Sequence, residues 1–190
     1  MANSYIMPLF LGMILLASAC SKSTQQAFRE TEDIKKNGLV FRLQDDKRRI
    51  EYFEKQGLAD RAKAEKAAIG ENNRKVVEAF QREFDFSPIH FYYASQQEAL
   101  LAGKPVLLNS QMVPDAAVSL PEKIILASFA SGEIEDNTHK WKAFRVVGST
   151  MEIRPTYRTS WFDRVLQPVD VRRINRALKK MNEPKNGVNN

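Results

Sequence analysis

The sequence predicts a single α/β domain: a mixed sheet of about five or six strands, a long helical segment over 47–84 and a closing C-terminal helix. Three observations carry this. Short apolar runs rich in β-branched and aromatic residues are separated by turn residues; a proline-free stretch of helix formers runs from Lys47 to Phe84; and an apolar stripe recurs at helical spacing after Pro168. The expected boundaries are a signal peptide at 1–19, a tether at 20–37, the domain at 38–181 and a tail at 182–190.

The first strand is expected at Leu39-Val-Phe-Arg-Leu43, after the turn signal Asn37-Gly38, with Leu39, Phe41 and Leu43 on one face. Asp45-Asp46 then offers a helix N-cap. A continuous helix over 47–84 would reach about 57 Å, longer than a domain of this size is wide. A bend or helical hairpin is therefore expected at Gly57 or at Gly70-Glu-Asn-Asn73, with one projecting helix as the alternative. Ser87 to Ala94 is almost wholly apolar, the pattern of a strand buried on both faces and hence central. Ser95-Gln-Gln-Glu98 is a capping box for a short helix that Gly103 ends, and Pro105-Val-Leu-Leu108 is the next expected strand, making a parallel crossover pair with the one before. Lys123 to Phe129 and Ala143 to Val147 follow as strands, with a turn at Gly148-Ser149 into Met151-Glu-Ile153. In the last helix, Val171, Ile174, Leu178 and Met181 form the docking stripe, and Arg172, Arg173, Arg176, Lys179 and Lys180 the opposite, basic face.

Net charge is +6, concentrated toward the C-terminus: Lys140 to Lys185 holds twelve Lys or Arg against four Asp or Glu. Such a face suits anionic lipid head groups or an acidic envelope polymer, and nucleic acid is not the expected partner of an exported chain. The single cysteine, Cys20, excludes an intrachain disulfide, a CxxC redox pair and a thiolate metal cluster.

From Met1 to Ser21 no side chain is charged, and Tyr5 to Leu16 has the length of a signal-peptide apolar core. Pro8, Gly12 and Ala17-Ser18-Ala19 interrupt it short of the about 20 apolar residues that a membrane span needs. Leu16-Ala17-Ser18-Ala19-Cys20 resembles the lipobox of bacterial lipoproteins, in which small residues precede the cysteine that takes the lipid. The resemblance implies cleavage before Cys20, a diacylglycerol thioether with palmitate-type acyl chains on its sulfur, and a membrane anchor. Ser21 in place of Asp after the cysteine implies the outer membrane of a Gram-negative bacterium. Ala17 stands where that family usually has Leu and the leader has no Lys or Arg, which leaves an ordinary signal cut near Ala19, or an uncleaved anchor, as alternatives.

Candidate chemistry is sparse. His90, between Ile89 and Phe91 and beside Tyr92 and Tyr93, is either a general base or a hydrogen-bonded strand histidine. Glu133, Glu135, Asp136 and His139 supply oxygen and nitrogen donors for a divalent cation, or form a solvated acidic loop; their spacing matches no established ligand motif. Trp141, Tyr157 and Trp161 lie in the basic C-terminal part, as interface residues or as core aromatics. GxSxG, SxxK and a Gly-rich phosphate loop are all absent from the sequence, so no cofactor or metal is expected.

The segment Phe84-Asp-Phe-Ser-Pro-Ile-His-Phe-Tyr-Tyr93, with Lys142-Ala-Phe-Arg-Val-Val147, is similar to a family of uncharacterised envelope proteins of Gram-negative bacteria, which implies a fold and no activity. The functional expectation is a lipid-anchored, non-enzymatic envelope protein that binds another protein or an anionic polymer. The alternative is an envelope hydrolase or metal-assisted enzyme using His90 or the Glu133–His139 loop.

Overall fold

A computed structural model describes residues 25–133, 140–147, 149, 152–153 and 168–183. The chain enters through a helix, α1, over 25–37. There follow β1 (Leu39–Leu43), α2 (Lys47–Lys55), α3 (Ala59–Glu83), β2 (Ile89–Tyr93), a 3-10 turn (Ala94–Gln96), α4 (Gln97–Leu101), β3 (Leu126–Glu133), β4 (Lys140–Val146), β5 (Glu152–Ile153) and α5 (Pro168–Met181). The sheet order is β2-β1-β3-β4-β5, parallel between β1 and both its neighbours and antiparallel from β3 onward. The class is therefore mixed α/β. Four strands carry the sheet, and the expected five or six is reached only by counting the two-residue β5.

β1 spans the expected residues, and its alternation works as anticipated. Leu39, Phe41 and Leu43 enter the main core together with Ile34 of α1, Val77 and Phe80 of α3, and Val171, Ile174 and Leu178 of α5. Phe41 lies at the centre, with ring centroids 4.9 Å from Phe80 and 5.1 Å from Phe129. Such pairs add about 0.5–1.5 kcal/mol each beyond the area they bury. On the other sheet face Val40, Tyr92 and Leu126 meet Leu100 of α4 and Leu107 in a smaller cluster.

The 47–84 segment is a hairpin of two helices. Gly57, at φ +70°, lets the chain turn left-handed, the Leu58 N–H reaches back to the Phe53 carbonyl at 2.9 Å, and the Gly57 N–H to that of Glu54 at 3.0 Å. This pair of reverse bonds satisfies the last carbonyls of α2. α3 then runs unbroken through Gly70. The same device ends α4 at Gly103, φ +75°, with Lys104 N–H bonded to the Ala99 carbonyl at 2.9 Å.

Four expectations are corrected. The tether predicted to extend to residue 37 includes α1, whose Ile34 is 1% exposed and whose Thr31 is fully buried, so the folded unit includes residues well before 38. β2 is not central: it is an outer strand, and both its faces are covered because α3 packs on one while α4 and the chain after it pack on the other. Pro105–Leu108 forms no sheet strand; only Leu108 bonds to β2, at the Phe91 carbonyl, 2.9 Å, before the turn at Asn109 folds the chain back into a bridge between Leu108 and Pro114. A proline at each end of this loop removes the donors a ladder needs, so the loop shields the edge of β2 instead of extending the sheet. The parallel crossover is accordingly β1 to β2 through α2 and α3. Finally, the Ser95 capping box does not form, because α4 starts after a 3-10 turn with Gln96 as its cap, and the Ser95 N–H donates to Asp45 Oδ2 at 3.2 Å.

α5 starts at Pro168 and docks as predicted, with Val171 and Leu178 fully buried. Asn175 fastens it: its Nδ2 donates to Asp85 Oδ1 at 2.6 Å, and its Oδ1 accepts the Asp85 N–H at 3.3 Å. Within the fold Arg172 of the basic face pairs with Glu83 at 3.2 Å and Lys179 with Asp85 at 2.7 Å. Lys179, and after it Asn175, holds the Asp85 carboxyl below its usual range. No helix among the described residues is long and apolar enough to cross a membrane.

Candidate functional site

Parallel strands end together, and the helices that connect them leave a crevice beyond their carboxyl ends, the usual ligand position in open α/β sheets. Here Gln44 and Asp45 follow β1, while Tyr93 ends β2 and Ser95 and Gln96 follow it. The α2–α3 hairpin rises over this end of the sheet and closes a cleft of about 480 Å³. α2 contributes Lys47, Ile50 and Glu51, and α3 contributes Lys66, Ile69, Gly70 and Asn73. Pockets for small organic ligands have volumes of about 300–1,000 Å³.

The sequence places each wall by a local device. Asp46, in the left-handed region at φ 35°, turns the chain out of β1, and its carbonyl accepts the Arg49 and Ile50 N–H groups at 2.9 and 3.1 Å. It is the N-cap of α2 without a side-chain bond. Asp45 reaches across to the Ser95 N–H and so ties the two strand ends. Asn73 is 6% exposed, and its Nδ2 donates to the Gln44 carbonyl at 2.6 Å, anchoring α3 to the end of β1. From the opposite wall the Tyr93 hydroxyl donates to the Met112 carbonyl at 3.0 Å; burial, and secondly the Asp45 charge, pushes its phenol pKa up, so it stays a donor. The Gln96 side-chain oxygen is buried and has no hydrogen-bond partner among the described residues.

His90 takes no part in this cleft. It is half-buried on β2, paired in register with Val40, on the sheet face opposite Tyr93, and burial lowers its pKa. Of the acidic set, Glu133 is the last residue of β3, while Glu135, Asp136 and His139 lie outside the described residues. Trp141 is in β4, and Tyr157 and Trp161 lie outside the described residues, as does Cys20. Among the described residues no group of three His, Cys, Asp or Glu side chains gathers around a metal position.

None of the cleft residues was a candidate from sequence. Their positions, 44–51, 66–73 and 93–96, are separated along the chain and carry no motif. The local signals there, Asp45-Asp46 as a cap, Gly70-Glu-Asn-Asn73 as a bend and Ser95-Gln-Gln-Glu98 as a capping box, were legible as structure and not as cleft walls. No family model, no curated protein and no solved structure matches the chain.

Proposed function

We propose that this is a lipid-anchored protein of the cell envelope, held through Cys20 in the outer membrane of a Gram-negative bacterium, whose domain binds a small ligand in the cleft beyond β1 and β2. The observation that carries the binding reading is the cleft itself: about 480 Å³, walled by two strand ends and a helical hairpin. The leader and the small residues before Cys20 support the anchor.

The binding reading is tested by screening small neutral fragments against the protein by ligand-observed NMR, beside Ile69→Trp, whose indole fills the cleft. Fragments that bind the native chain and lose their signal with Ile69→Trp support it. Fragment binding unaffected by that substitution places the ligand elsewhere and overturns it.

A further inference from the structure

The charges lining the cleft are of both signs and do not neutralise one another. Lys47, Glu51 and Lys66 all line it, and among the described residues none of their side chains has a hydrogen-bond or ion-pair partner; Asp45 commits one carboxylate oxygen to the Ser95 N–H. Lys47 and Glu51 are four residues apart on α2, a spacing at which opposite charges commonly meet. Elsewhere on the same hairpin such pairs do form. Arg49 of α2 reaches Glu65 of α3 at 3.1 Å, and Glu71 takes Arg74 at 3.0 Å and Lys75 at 3.5 Å. All five of these residues lie off the cleft, where other charges of the hairpin, Arg48 and Lys55 among them, are also unpaired among the described residues.

Resting on the cleft as a binding site, we propose that its ligand is zwitterionic: a short peptide with free termini and an apolar side chain. A simple anion would meet Asp45 and Glu51, and a simple cation Lys47 and Lys66, so neither answers the whole lining. A peptide brings a carboxylate for the lysines and an ammonium for the carboxylates. Ile50, Ile69 and the Tyr93 ring offer its side chain an apolar wall.

The probe is the tripeptide Ala-Leu-Ala, titrated into the full-length protein in detergent micelles by calorimetry, beside its N-acetylated and its C-amidated forms. Free peptide is expected to bind one to one, and each blocked terminus to weaken binding about tenfold, the loss of one charge-assisted contact. Lys47→Met with Lys66→Met then makes binding indifferent to amidation, and Glu51→Gln lessens the effect of acetylation. Ile69→Trp abolishes binding of every form. Blocked and free peptides that bind alike overturn the zwitterionic ligand. So does a tripeptide that fails to bind while neutral fragments still occupy the cleft, an outcome that leaves the cleft standing as a binding site. If neither tripeptide nor fragments bind, both readings fall.

Discussion

His90 illustrates how one side chain couples burial to pH. It lies half-buried on β2, and loss of solvent around the imidazole favours the neutral form, so its pKa is below the ordinary 6.5. At pH values above 6.5 both folded and unfolded chains carry it neutral. As pH falls through 6.5 the unfolded chain takes up a proton that the folded one does not, so stability declines until the folded pKa is reached. The urea midpoint is therefore expected to be lower at pH 5.5 than at pH 7.5, and His90→Gln to flatten that difference. The variant keeps one histidine, His139. An unchanged slope in His90→Gln would contradict the burial account. Asp85 acts in the same direction at lower pH: its carboxyl, held down by Lys179 and Asn175, contributes above its unfolded pKa, and the contribution disappears as pH falls through the folded value.

At the scale of elements, glycine determines where helices stop, with costs that differ by surroundings. Gly38 ends α1 with its N–H bonded to the Ile34 carbonyl at 2.8 Å, at φ +80°, and an added Cβ would stand 2.7 Å from the Pro88 carbonyl oxygen. Gly57 has φ +70° with nothing within 4 Å of an added Cβ. Gly57→Ala therefore meets only the left-handed penalty, about 1–2 kcal/mol, while Gly38→Ala meets that and a clash with backbone that the β1–β2 pairing holds in place. Chemical denaturation of the two variants is expected to rank Gly38→Ala as clearly the more destabilised; equal losses would refute the steric argument. Both glycines were legible as punctuation in the sequence because the left-handed conformation is a local demand. The failed strand at Pro105–Leu108 is the counterpart. Its residues have strand propensity, but whether a run pairs along several residues of a neighbouring strand depends on how the rest of the chain holds it, and that is not a local property.

For the whole molecule, the domain begins earlier than expected, and the proposed anchor lies outside the described residues. α1 belongs to the core through Ile34, and the Ser149 hydroxyl donates to Glu30 of the same helix. A lipid on Cys20 would thus be followed by only a few residues before the first packed helix, holding the domain close to the membrane surface. Two acyl chains or more are needed for firm anchoring, since one confers only marginal membrane affinity. Metabolic labelling with a palmitate analogue is expected to mark the native protein and to be lost with Cys20→Ala, the domain then appearing in the soluble envelope fraction. Undiminished labelling of Cys20→Ala would overturn the anchor.

What the sequence by itself determined was set by neighbours along the chain: the alternation of β1, the stop at Gly103 and the stripe that docks α5, while it left the break in 47–84 open between Gly57 and Gly70–Asn73 and the fold placed it at Gly57. It also reported that both faces of β2 are covered. It could not report that β2 is an outer strand, because apolar text records burial of side chains and not the number of hydrogen-bonded neighbours. Tertiary structure alone decided the strand order, and with it the cleft. Asp45, Lys66 and Gln96 become neighbours only because β1 and β2 run parallel and the hairpin between them folds back over their ends.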